Sequence, residues 1–94
     1  MILIFHKMII IMNALNSQQL DALIHNGAIK SIAINGTAGG FVVTVNNGMV
    51  IEAQRGHARV FKKLQTAAMF LKNKGIEKVN VDLSNWSPDQ NATL

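Results

Sequence analysis

Cysteine is absent from this 94-residue chain. Disulfides, thiolate nucleophiles and cysteine-bound zinc or iron–sulfur centres are excluded together, which suits a reducing, cytoplasmic setting. Proline is nearly absent too; one proline alongside 49% hydrophobic residues sets the chain far from the disordered class. Negative charge is scarce. The five carboxylates, Asp21, Glu52, Glu77, Asp82 and Asp89, include no close pair placed for general acid–base work, and no serine or threonine stands in a nucleophile motif. His6, His25 and His57 lie on different elements without metal-ligand spacing. No enzyme activity, metal, cofactor or small-molecule substrate is therefore expected. Aromatic residues are few, and Phe41, Phe61, Phe70 and Trp86 are needed mainly as core, so stacking of single-stranded bases has little to draw on. A membrane-spanning run is missing as well: the longest apolar stretch, Met1 to Met12, falls short of the roughly 20 residues a crossing helix requires.

What is present fits one small α+β domain. The length allows a single core. Residues 1–12, MILIFHKMIIIM, lack the basic start and cleavage site of a signal peptide, and read either as an extra β-branched strand or as an extension upstream of a start at Met8 or Met12. Residues 13–86 form the expected domain and 87–94 a polar tail. Asn16, with Gln19 three positions on and Leu15 placed to staple to Leu20, predicts a capped helix over about 17–26 that Gly27 ends. An isoleucine-rich strand over 28–35 runs into the glycine-rich stretch 36–40, read as a mobile hairpin tip. That stretch lacks the lysine and hydroxyl pair of a phosphate-cradling loop and opens a strand instead of a helix. Phe41, Val43 and Val45 alternate, Asn46-Asn47-Gly48 offers a turn, and Met49, Ile51 and Ala53 alternate in turn, which predicts a hairpin. Leu64, Ala67, Ala68 and Leu71 lie on one stripe of a second helix over about 63–74, with Gly75 as its stop. Val79, Val81 and Leu83 then mark a fourth strand over 76–83. The expected order is α-β-β-β-α-β, two helices packed on one face of a mainly antiparallel four-stranded sheet. Trp86 is expected to cover an edge of the core.

The net charge of +4 is unevenly placed. Between residues 55 and 78, seven cations, Arg55, Arg59, Lys62, Lys63, Lys72, Lys74 and Lys78, meet only Glu77, a local net of +6. Arg55, His57, Arg59, Lys62 and Lys63 occupy the connection from the third strand to the second helix, where forked and point-charge donors together with helix N-terminal amides suit phosphates. The competing view is a solvated connection in which Arg55 or Arg59 pairs with Glu52 or Asp82. Lys72, Lys74 and Lys78 add to the basic region, or simply solubilise the helix end and favour its negative pole.

Gln54-Arg55-Gly56 through Arg59-Val60-Phe61, then Leu64, Thr66-Ala67-Ala68, Phe70-Leu71 and Gly75-Ile76, resemble the ParC-type partition-associated proteins of plasmids and integrative elements, which share only a name with the topoisomerase subunit. The likeness runs from about Leu20 to Trp86. Lys63 stands where that family tends to place a small capping residue, and the family's usual beginning near the first helix resembles a start at Met12. The resemblance implies a role in partition or maintenance of mobile DNA in a bacterial cytoplasm, without an activity. Two function classes follow: a DNA-binding accessory protein contacting phosphates through the cations above, or a protein-interaction or homodimerisation module joining other partition proteins. The helix and strand order with Lys62-Lys63 before the last helix also looks like a double-stranded-RNA-binding domain, but the fourth strand is extra and that family's Gly-Pro-x-His loop is missing.

Overall fold

The computed structural model describes residues 14–54 and 57–88. Residues 1–12, Arg55 and the tail from 89 onward lie outside them.

Local chemistry accounts for both helices. The first, α1 (Ser17–His25), opens on a reciprocal pair in which the Gln19 amide donates to Asn16 Oδ1 at 2.8 Å and the Asn16 amide donates to Gln19 Oε1 at 2.9 Å. Its end is a Schellman motif: Gly27 at φ 66° lets the Ala28 amide reach the Leu23 carbonyl at 2.8 Å and its own amide reach Ile24. The second helix, α2 (Leu64–Asn73), ends in the same way at Gly75, with Ile76 donating to Leu71 and Gly75 to Lys72. Its start differs, because Lys63 is the cap residue and makes no side-chain capping bond. No helix of the described residues is long and apolar enough to cross a membrane.

The strands are β1 (Ala14–Leu15), β2 (Ile32–Thr37), β3 (Gly40–Val45), β4 (Met49–Gln54), β5 (His57–Ala58) and β6 (Asn80–Asp82). They form a sheet in the order β1-β4-β3-β2-β6, with β5 paired to β4 outside that path. β2, β3, β4 and β5 are successively antiparallel, whereas β1 runs parallel to β4 and β6 parallel to β2. The four expected strands and two helices are thus present, but the sheet is mixed and has six strands instead of a mainly antiparallel four. Two-residue strands such as β1 and β5 leave no period-2 trace in a sequence. β6 is parallel to β2 because α2 carries the chain back before it re-enters the sheet.

One face of the sheet makes the core. Ile32 pairs with Val45, Ile34 with Val43 and Gly36 with Phe41, so these side chains share a face. Leu20 of α1 and Ala67 and Leu71 of α2 are buried in the same cluster, together with Leu15, Ile51 and Phe61. No polar or charged side chain is buried among the described residues. The other face carries Ala33, Asn35, Val42, Thr44 and Val50, all half-buried, with Asn35 Nδ2 donating to Thr44 Oγ1 at 2.9 Å.

One turn revises the expected picture and one agrees with it. The stretch 36–40 is a tight hairpin: β2 and β3 stay paired out to Thr37 opposite Gly40, and the Thr37 hydroxyl accepts from the Gly39 amide and donates to the Gly40 carbonyl. Its flanking glycines belong to strands and make room for neighbours. A Cβ on Gly36 would stand 2.5 Å from that of Trp86. At the other hairpin, Asn46 and Asn47 adopt φ of 53° and 68°. Asn46 also accepts from the Lys30 and Ser31 amides and donates to the Ala28 carbonyl, tying the turn to the α1–β2 connection.

Candidate nucleic-acid interface

The connection from β4 to α2 is built by a ribbon that leaves the sheet. β4 stays in register with β3 only at Val50 opposite Thr44 and Met49 opposite Val45. A register shift between Glu52 and Gln54 then accompanies the return through β5, with Ala58 opposite Glu52 and His57 opposite Gln54. The Arg59 amide donates to the Ile51 carbonyl at 2.8 Å. Phe61 takes up the edge that β4 vacated, exchanging both backbone hydrogen bonds with Phe41 at 2.7 and 2.8 Å. Gly40 permits this approach: it has φ 142°, and a Cβ there would lie 2.5 Å from the Phe61 carbonyl oxygen. The buried Phe61 anchors the segment, leaving His57, Arg59, Lys62 and Lys63 exposed immediately before α2.

Arg59 is the most constrained of these cations. Its guanidinium carbon lies 4.8 Å from the centre of the Phe61 ring and 4.7 Å from that of Phe70, while the two rings pack at 5.4 Å and 49°. An exposed cation–π contact of this kind stabilises by about 0.5–1 kcal/mol and leaves the planar donors free to point outward. The cross-sheet ion pair with Glu52 or Asp82 does not form for Arg59. Asp82 is engaged elsewhere: the Ser84 hydroxyl and, secondly, its amide donate to Asp82 Oδ1, which holds the carboxyl below its ordinary value of 3.8. Among the described residues His57, Lys62 and Lys63 meet no carboxylate partner.

The remaining cations lie at the far end of α2 and before β6. Lys72 pairs with Glu77 at 3.4 Å on the exposed end of α2. Lys74 Nζ lies 2.7 Å from Asp21 Oδ1, 3.3 Å from Ser17 Oγ and 5.6 Å from the Phe70 ring centre, so this side chain bridges the end of α2 to the start of α1. Lys78 lies before β6 beside Lys30, where the two border an open pocket of about 210 Å³ lined also by Ser31, Ile32, Val79 and Asn80. A ten-residue helix is about 15 Å long, and α2 separates Lys62 and Lys63 from Lys72 and Lys74 by that length. His57, Arg59, Lys62 and Lys63 are thus exposed together along the segment before α2, Arg59 and Lys74 share the Phe70 ring, and Lys72 and Lys78 are engaged or placed elsewhere. Phe70 as a platform for Arg59 escaped the sequence reading, since nothing in residue spacing distinguishes a core phenylalanine from one that also faces a guanidinium.

Fold and site together define a two-layer α+β domain with an exposed basic strand-to-helix connection. The chain belongs to the ParC-like family, which matches residues 15–90 and so includes nearly every described element. No curated protein and no solved structure matches it.

Proposed function

We propose that this protein is a non-enzymatic accessory factor of plasmid or mobile-element partition and maintenance that binds DNA phosphates through residues 57–63. The observation that carries this reading is the Arg59 guanidinium, held over Phe61 and Phe70 without a carboxylate partner among the described residues and flanked by the exposed His57, Lys62 and Lys63. A positioned fork beside two mobile ammonium groups contacts a sugar–phosphate backbone without reading bases, and the amides of the first α2 turn add donors to it. Membership of the ParC-like family supports the partition setting.

Fluorescence anisotropy on generic duplex DNA, at low and near-physiological salt, tests this. Binding is expected to weaken with salt at a logarithmic slope of roughly −0.9 per phosphate neutralised. Replacing Arg59, Lys62 and Lys63 by alanine should lower affinity for all sequences alike and flatten that slope by up to roughly 3. Unchanged binding by a folded triple variant, or stronger binding to duplex RNA of equal length, removes the assignment.

A further inference from the structure

β6 is the last strand of the sheet. Among the described residues it is paired to β2 on one side and to nothing on the other. Natural edges are commonly guarded by a bulge, a proline or an inward-pointing charge. Asn80-Val81-Asp82 has none of these, although it is short. Val81 stands opposite Ile34 and therefore on the core face, yet it is 44% exposed, and Leu83 just beyond it is 46% exposed. Val79, one step before the strand, packs against the core. Asn80 and Asp82 stand opposite Ala33 and Asn35 on the other face, and continued alternation sets Lys78 with them. Neither Lys78 nor Asp82 makes an ion pair within the chain among the described residues.

Lys78-Val79-Asn80-Val81-Asp82 is symmetric in its apolar residues and opposite in charge about its centre. Laid antiparallel to itself with Asn80 facing Asn80, it places Val79 against Val81 and Lys78 against Asp82, each twice across the two-fold axis. Directly opposed side chains in an antiparallel pair share a face, so the apolar pairs fall on the core side and the ion pairs on the open side. Sliding the register to centre on Val81 instead sets Lys78 against Ser84 and Asp82 against Asn80, which leaves all four charges unmatched. We propose that β6 is a homodimerisation edge, on which a second copy of this chain pairs antiparallel about Asn80, neutralising Lys78 with Asp82 and covering Val81. Such an interface is isologous and closed, extending two sheets into one. It is independent of the phosphate-contact reading and assigns Lys78 to a partner carboxylate.

The full chain is tested by sedimentation equilibrium across a concentration series, with circular dichroism to confirm folding. Wild type is expected to dimerise reversibly. K78D and D82K should each weaken association roughly tenfold or more, because each sets like charges opposite one another twice. An equimolar mixture of K78D and D82K should associate again, as should the doubly exchanged K78D/D82K chain. Since the protein has no cysteine, N80C supplies a second measurement that tolerates any disturbance of the Asp82 turn. Opposed residues in antiparallel strands have Cα atoms about 4.5–5.5 Å apart, within disulfide range, so mild oxidation should yield a cross-linked dimer of N80C. K78C should not cross-link to itself, its symmetry mate lying about 13 Å away along the strands. A wild type that stays monomeric with no N80C cross-link, or a dimer indifferent to K78D, overturns the proposal.

Discussion

A methyl group on Gly40 would put carbon 2.5 Å from the Phe61 carbonyl oxygen and 2.9 Å from Val60 Cγ1, at a φ of 142° that other residues rarely adopt. Both the strain and the clash act on the joint that hands the chain from the sheet to α2. Gly40→Ala is therefore expected to lose about 2–4 kcal/mol in urea unfolding, through backbone strain and separation of the Phe41–Phe61 pair. Trp86 shows a different residue-scale compromise. Its ring packs on Gly36 and lies 6.0 Å from the Phe41 ring, while its buried Nε1 finds no acceptor among the described residues. An unsatisfied buried donor costs about 1–3 kcal/mol, offsetting part of what the ring area contributes. Trp86→Phe should thus cost under about 1 kcal/mol in a denaturant titration, and Trp86→Ala more than about 2 kcal/mol.

At the scale of elements, the two helices contrast at their starts. α1 has the reciprocal Asn16–Gln19 cap, whereas α2 begins at Lys63 with no side-chain acceptor for its first amides; neither helix has an acidic residue in its first turn. A positive charge at that pole is unfavourable to the helix dipole. Lys63→Ser should therefore stabilise the fold by about 1 kcal/mol, read as a melting temperature higher by about 4–8 °C. If Lys63 contacts phosphate as proposed, the same change should weaken DNA binding, so that stability and affinity move in opposite directions. A purely structural role for Lys63 would not separate the two readouts.

Across the whole molecule, the charge that appears continuous along residues 55–78 is divided by the fold. Lys74 is spent on Asp21 and Ser17, where it joins the two helices, and Lys72 on Glu77. What remains is one basic end before α2 and a separate lysine at the β6 edge. Both helices lie on one face of the sheet, leaving the opposite face and the β6 edge outside the helical layer. A dimer through β6 would join two sheets edge to edge and present two basic connections from one assembly, a geometry that lengthens the salt-dependent DNA footprint without new contacts in either chain.

Short-range chemistry was legible in the sequence by itself. The Asn16 capping box, the glycine stops at Gly27 and Gly75 and the Asn46-Asn47 turn all depend on residues within a few positions of one another, and all are found; of the stripe Leu64, Ala67, Ala68 and Leu71, only Ala67 and Leu71 are buried, Leu64 and Ala68 being exposed. The basic connection was legible as composition. Only the tertiary structure decided which cations it comprises, because Arg59 is held by Phe70 and Lys74 by Asp21, partners distant in the chain. Gly36 and Gly40 were misread as loop residues for the same reason: a glycine that yields to Trp86 or to the Phe61 backbone cannot be told from one that breaks a strand until the neighbour is in place. Strand order, and with it the exposed self-complementary edge at β6, likewise arises from which distant segments share a core, a quantity that no local pattern contains.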